Sequence, residues 1–304
     1  MKYGAIIKEI GRGAKGARDL DTAAAAGLFG DILDGAVPEL ELGAILIAFR
    51  IKSEALPELL GFKQAMDART AQVAVPEGPR CVVLPTYNGA RRQANLMPLV
   101  ALLLAREGVP VLIQGRHDFE TRVSPFELLA ALDLHPAADA AAASAQLAQR
   151  HLACIGVDKL LPGLDPLLAL RVRMGVRASG HTMAKLIDPC RGRSVRVVAV
   201  THPEYLERMD EFLRADGGRA MLMRGTEGEI YANPRRCPEM KVYVDGTASV
   251  GVAGEEGGAP PLAGLPDAPS VAENAALIRA MLAGEAPVPG AILKQVAALR
   301  ALAA

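Results

Sequence analysis

Between Leu167 and Arg196 the chain carries seven cations, Arg171, Arg173, Arg177, Lys185, Arg191, Arg193 and Arg196, against the single anion Asp188. A one-sign run of this kind is either a solvated basic face or a surface that meets an anion. Further cations recur in turn-rich stretches that follow short apolar runs. Arg91 and Arg92 close Pro85-Thr-Tyr-Asn-Gly-Ala-Arg-Arg92, Arg116 lies in Gln114-Gly-Arg-His-Asp118, and Arg224 opens Arg224-Gly-Thr-Glu-Gly228; Thr201-His-Pro-Glu204 is a fourth such stretch and has no arginine. If the apolar runs are parallel strands, these loops emerge at the carboxyl edge of a sheet, where ligands of open α/β folds gather. A helix N-terminus after the first loop would add backbone N–H donors, so the anion expected there is phosphate.

Other reactive side chains carry less. His181 and His202 fall at candidate ligand edges, but no Ser or Cys is placed beside them as a nucleophile; His117 reads as exposed, and His135 and His151 lie near element ends. The four cysteines, Cys81, Cys154, Cys190 and Cys237, form no Cys-x-x-Cys pair and read as reduced thiols, with no zinc site. Gly11-Arg-Gly-Ala-Lys-Gly16 matches a dinucleotide fingerprint by letter. That fingerprint needs a preceding strand, whereas Tyr3–Ile10 has helical spacing. The glycines instead end a helix, leaving Arg12 and Lys15 in a basic loop able to touch phosphates.

The elements that must position these residues follow from periodicity. Through residue 75 the chain reads as a helical lobe: Ile6, Ile7 and Ile10 share one face, and Leu42, Ile45, Leu46 and Phe49 share another. Pro57 suits a first helical turn before Leu59, Leu60, Phe62 and Met66. After the turn-rich Val75–Pro79 the pattern changes. Apolar runs at Cys81–Leu84, Val109–Ile113, Leu152–Ile155, Val195–Val200, Ala220–Met223 and Lys241–Val244 alternate with helical stretches. This predicts an α/β lobe over 76–304 with a mainly parallel sheet flanked by helices. Helical stretches near 165–190 interrupt the alternation and read as a return to the helical lobe. Gly251–Pro269 reads as loop.

Composition bounds the class. With 304 residues, 51% hydrophobic and 22% charged, the chain is a globular protein of about two domains. Formal net charge is zero, so affinity for a polyanion must come from the distribution of charge. No signal peptide and no bilayer-length apolar run is evident, and a cytoplasmic location is expected.

Ala48-Phe-Arg-Ile-Lys-Ser-Glu54 and Met174-Gly-Val-Arg-Ala-Ser-Gly-His-Thr-Met-Ala-Lys-Leu-Ile-Asp-Pro189, with a helical lobe joined to an α/β lobe, resemble the anthranilate phosphoribosyltransferase fold of glycosyltransferase family 3. More narrowly, Lys8–Gly13, Ala17–Leu20, Tyr87–Arg91, His202–Tyr205, Gly225–Glu229 and Ala232–Arg235 resemble the YbiB-type branch of that fold. The resemblance implies nucleic-acid binding and a homodimer formed through the helical lobe.

The departures from the enzyme pattern separate two functions. Where the enzymes carry a Gly-Thr-Gly-Gly-Asp loop around the diphosphate, this chain has Pro85-Thr-Tyr-Asn-Gly89, in which proline lacks an N–H and tyrosine adds bulk. Gln114–Asp118 does not keep the register of the family's Lys-His-Gly-Asn-Arg segment. The magnesium-holding Asp-Glu pair would fall at Ile230-Tyr231, with Glu227 and Glu229 as possible substitutes in a shifted register. Arg177 matches the arginine that meets anthranilate, while His181 and Lys185 replace the family's Asn and Pro.

The expected function is therefore sequence-nonspecific DNA or RNA binding, with no membrane partner and no cofactor. The contacts would be Arg12, Lys15, Arg91, Arg92, Arg171, Arg173, Arg177, Lys185, Arg193, Arg224, Arg235 and Arg236. Thr86, Tyr87, Asn88, Gly89, Arg116, Gly225, Thr226 and Glu227 would line a vestigial donor pocket. The alternative is an active phosphoribosyltransferase with Mg²⁺; a module for small molecules or protein partners is a third reading.

Overall fold

The computed structural model describes residues 2–13, 15–116 and 121–304. His117 and the second half of its loop lie outside the described residues. The chain divides into two compact units, Met1–Ala71 with Val157–Pro189, and Gln72–Gly156 with Cys190–Ala304.

The first unit begins with α1 (Lys2–Ile10), α2 (Thr22–Leu33), α3 (Glu39–Lys52) and α4 (Leu56–Asp67). Asp21 caps α2 by accepting the Ala24 N–H at 2.7 Å. Acids in the first turn of α3 and Arg50 and Lys52 in its last suit the helix dipole. Pro57 stands in the first turn of α4, as its fixed φ allows. The core is aromatic: Phe29 stacks on Phe62 at 4.5 Å between centroids, and Phe49 meets Phe62 edge-on at 5.2 Å. The segment after Gly11 follows a helix, so no strand precedes the glycine motif.

The second unit opens with β1 (Cys81–Thr86), α5 (Met97–Arg106), β2 (Val111–Gly115), α6 (Pro125–Ala131), α7 (Ala140–Arg150) and β3 (Leu152–Gly156). The chain then returns to the helical unit through α8 (Val157–Leu160), α9 (Leu164–Met174) and α10 (Ser179–Met183), the last prolonged by a 3₁₀ turn at Ala184–Leu186. This return starts at Val157, earlier than the helical stretches near 165–190 indicated. The second unit resumes with β4 (Ser194–Val200), α11 (Pro203–Asp216), β5 (Arg219–Arg224), β6 (Met240–Val244), β7 (Thr247–Val252), α12 (Val271–Ala283) and α13 (Gly290–Ala303).

The seven strands form one sheet in the order β3-β2-β1-β4-β5-β6-β7. The first five run parallel, and β6 and β7 are antiparallel additions. Strand β7 corrects the reading of Gly251–Pro269, because the strand runs through Val252 before the loop begins. Its Ala, Ser and Gly content hides it from β-propensity. The available signal was Asp245-Gly246, whose φ values of 47° and 83° make the mirror-image turn that joins twisted strands.

All four cysteines are free and buried. Burial pushes the Cys154 thiol up to about 11, further from the reactive thiolate. A thiol reagent is expected to label none of them in the native protein and all four after denaturation. Fast labelling before unfolding would contradict the burial. Among the described residues no helix is long and apolar enough to cross a membrane.

Candidate functional site

The sheet order reverses between β1 and β4: the chain steps outward from β1 to β2 and β3, then restarts on the other side. At such a switch point the loops leaving the strands' carboxyl ends diverge and open a crevice. The loop after β1, residues 85–92, therefore stands where a ligand would be held.

Its donors are already engaged. After β5, residues 226–229 make a two-residue turn in which Thr226 and Glu229 exchange backbone hydrogen bonds of 3.1 and 2.9 Å. Because β4 lies between β5 and β1, this turn reaches across the switch point. The fully buried Glu229 carboxylate accepts the Asn88 N–H at 2.9 Å, the Gly89 N–H at 2.8 Å and the Thr86 hydroxyl at 2.8 Å. Glu227 accepts the Arg91 N–H at 3.2 Å and the Arg92 N–H at 3.0 Å. The Asn88 side chain completes the clasp by donating to the Gly228 carbonyl at 2.7 Å.

Positive φ at both central positions, 53° at Glu227 and 91° at Gly228, defines the turn. Glycine fits such a conformation, but glutamate holds it at a cost of about 1–2 kcal/mol. The hydrogen bonds from Arg91 and Arg92 offset that cost. Behind the turn, Gln295 of α13 accepts the Ala232 N–H at 2.8 Å and donates to the Ile230 carbonyl at 2.7 Å, while the Tyr231 hydroxyl donates to the Ala94 carbonyl at 3.0 Å.

This donor set does not fit the divalent cation that a phosphoribosyltransferase fold implies. Such a cation takes carboxylate and phosphate oxygens. Ile230 and Tyr231 are buried, and burial holds the Tyr231 phenol well above its ordinary range, so it stays protonated. Glu227 and Glu229, the possible substitutes, already serve backbone N–H groups. Tyr87 is buried too, and its hydroxyl donates to Gln114.

The candidate cations of this unit divide. Arg91, Arg92 and Arg224 are exposed at the carboxyl edge, and their side chains pair with none of the described residues. Arg193 stands apart from these three. It precedes β4, at the amino edge of the sheet, and donates to the carbonyls of Pro76 and Gly78, each at 2.9 Å. Arg235 pairs with Asp267 at 2.5 Å, and Arg236 donates to the Gly257 carbonyl. Arg116 is half-buried, and its N–H donates to the Thr86 carbonyl at 3.1 Å, tying the ends of β1 and β2. Gly225 lies in the bend that starts the clasp, its N–H on the Val200 carbonyl at 3.1 Å. A cavity of about 820 Å³ beside β5 has Arg224 and Arg236 in its wall, but also Glu207, Glu211 and Glu239 of α11 and the segment before β6. Carboxylates outnumber cations along this wall, so the cavity interior itself is not a phosphate site.

In the helical unit, Arg12 is exposed and paired with Glu9 at 3.1 Å, and Lys15 is exposed. Arg173 pairs with Glu39 at 3.1 Å in an exposed contact that salt screens. Arg171, Arg177 and Lys185 are half-buried and each is engaged. The two segments that resemble the transferases meet here: Arg50 donates to the Arg177 carbonyl at 2.8 Å, and the Ser179 hydroxyl donates to Glu54 at 2.5 Å. Sequence reading missed Arg50, whose distance from Arg177 along the chain conceals the contact.

A helical unit with a return segment and a mainly parallel sheet with a ligand edge at its switch point define the class: the chain has the phosphoribosyltransferase-like fold of glycosyltransferase family 3. Residues 5–70 match the model of the glycosyl transferase family helical bundle domain. The solved anthranilate phosphoribosyltransferase of Thermus thermophilus superposes with a TM-score of 0.78 at 23% identity, over 98% of this chain and 88% of that one. The anthranilate phosphoribosyltransferase of Methylobacterium radiotolerans is 29% identical over 69% of this chain and 60% of its own length. The protein YbiB of Escherichia coli K12 is 43% identical over 98% of this chain and 93% of its own, and the chain belongs to the YbiB family.

Proposed function

We propose that this protein binds nucleic acid without sequence preference, using the transferase scaffold as a frame for arginines. One observation carries the reading: at the ligand edge the backbone N–H groups of Asn88, Gly89, Arg91 and Arg92 are occupied by Glu229 and Glu227, while the side chains of Arg91, Arg92 and Arg224 remain exposed. On this reading phosphate is met by side chains and not by the main chain. Guanidinium groups on an open edge contact a phosphate backbone and give affinity without reading bases. The helical unit adds Arg12, Lys15, Arg171, Arg173, Arg177 and Lys185 as a second set of cations. The reduced thiols suit a cytoplasmic setting.

Titration of labelled single- and double-stranded oligonucleotides at two salt concentrations tests the proposal. The expected result is equal affinity for unrelated sequences, falling steeply with salt. Affinity that ignores salt counts against it.

Phosphoribosyl transfer is the second reading, favoured by the named activity of the relatives at 29% and 23% identity. Magnesium-dependent turnover of phosphoribosyl diphosphate with an aromatic or nucleobase acceptor would establish it in place of the first.

The helical unit also supports a homodimer. On α3, Leu40, Ile47 and Ile51 form an outward stripe that is 83%, 38% and 67% exposed, beside a groove of about 220 Å³ against Ile7 and Ile10 of α1. A second copy presents the same stripe, as a twofold interface requires. Ile47→Glu with Ile51→Glu is expected to give monomers by light scattering; a wild-type monomer would exclude this face as the contact.

A further inference from the structure

We infer that the segment from Glu255 to Asp267 is an acidic strap that occupies Arg235 and Arg236, so that a polynucleotide reaches these two arginines only by displacing it. The inference rests on the nucleic-acid reading and adds a regulation to it. The strap follows β7 at the carboxyl edge of the sheet, where Arg235 and Arg236 lie in the connection from β5 to β6. It carries Glu255, Glu256 and Asp267 and no basic residue.

Both ends of the strap are pinned on cations. Glu255 pairs with Lys294 at 2.9 Å, the Gly257 carbonyl accepts from Arg236, and Asp267 pairs with Arg235 at 2.5 Å. Just past Asp267, the Ala268 N–H donates to the Arg92 carbonyl at 3.1 Å, which sets the strap beside an exposed arginine of the carboxyl edge. A segment whose only charges are negative, folded onto three cations, stands where a polyanion would compete with it.

The hold is weak enough to be displaced. The Asp267 side chain is 75% exposed, and an exposed ion pair contributes little and is screened by salt. Asp267 meets Nη2 of Arg235, while the buried Nε of the same guanidinium has no acceptor. A fork that suits two phosphate oxygens therefore holds one carboxylate oxygen. Between the pins residues 258–264 are exposed, and the Leu265 N–H bonds within the strap, to the Leu262 carbonyl at 3.1 Å. Half-buried Leu265 packs on the core and leaves the strap a pivot. Pro260, Pro261 and Pro266 limit the freedom gained on release, so a few contacts suffice to keep the strap in place.

The test titrates labelled oligonucleotide against wild type, Asp267→Ala and Glu256→Ala at low salt. Each variant removes one negative charge from the strap, but Glu256 is exposed and pairs with none of the described residues, so its loss reports charge alone. Asp267→Ala is expected to bind about three- to tenfold more tightly than wild type, and Glu256→Ala less than about twofold more tightly. Arg235→Ala is expected to change wild-type affinity by less than about twofold, yet to abolish the gain when combined with Asp267→Ala. Equal affinity of wild type and Asp267→Ala, an equal gain from Glu256→Ala, or a gain that persists without Arg235 overturns the inference. The nucleic-acid reading fails differently, through a wild type that shows no salt-sensitive binding. In that case Asp267→Ala still decides the strap: salt-sensitive binding that requires Arg235 supports it, and no binding refutes it.

Discussion

Replacing Arg91, Arg92 and Arg224 together by alanine is expected to lower affinity for short oligonucleotides about 10²–10³-fold at low salt, by the same factor for unrelated sequences. Each guanidinium–phosphate contact contributes about 1 kcal/mol or slightly more at low ionic strength, and three such losses give that factor. The slope of log affinity against log salt should become shallower by about 2–3, since each neutralised phosphate contributes about 0.7–0.9. The same three residues should not affect stability appreciably, because they are exposed and their side chains pair with none of the described residues. Arg193→Ala is the control: it lies at the opposite edge of the sheet, bound to carbonyls of the 76–79 segment, and its loss should leave binding unchanged. If the triple variant binds as wild type does, the carboxyl edge is not the contact surface.

Glu58→Ala is expected to destabilise the helical unit by about 3–5 kcal/mol, read as a lower denaturant midpoint for that unit. The Glu58 carboxylate is fully buried and accepts Lys52 Nζ at 2.8 Å, the Ala55 N–H at 2.7 Å and the Leu20 N–H at 2.9 Å. Burial alone would lower the Lys52 pKa, but the hydrogen bonds to Asp19 and Glu58 outweigh it and hold the ammonium above its usual value. Alanine leaves Lys52 with the exposed Asp19 and leaves two N–H groups without their acceptor. Removing one partner of a buried ion pair costs far more than the pair itself contributes, because the other charge stays desolvated. Glu58→Gln should cost less, as it keeps an acceptor for the N–H groups. A midpoint unmoved by Glu58→Ala would mean that water reaches this network.

The fold was largely legible before any coordinate. Apolar runs alternating with helical stretches fix a mainly parallel sheet, since each run is too short for a helix and each connection long enough for one. The helical faces of Ile45, Leu46 and Phe49, and of Leu59, Phe62 and Met66, are buried as their spacing requires. Strand β7 was legible in principle through Asp245-Gly246, but its small residues gave no propensity signal of their own.

The candidate site was legible only as composition. Sequence places arginines in loops at strand ends, and that much follows from local pattern. It cannot say which of them are available. Arg193 and Arg224 look alike as loop arginines flanking strands, yet one is bound to carbonyls at the amino edge and the other is exposed at the carboxyl edge. Glu229 looks like an ordinary turn acid, yet it meets Asn88 and Gly89 through pairings 141 and 140 positions apart. Sequence by itself thus determined the class of fold and the chemical character of its loops, because backbone periodicity and side-chain type act over a few residues. Which charges face solvent and which close on one another was decided by the tertiary structure, because hydrogen bonding and desolvation depend on neighbours in space that the chain order does not record.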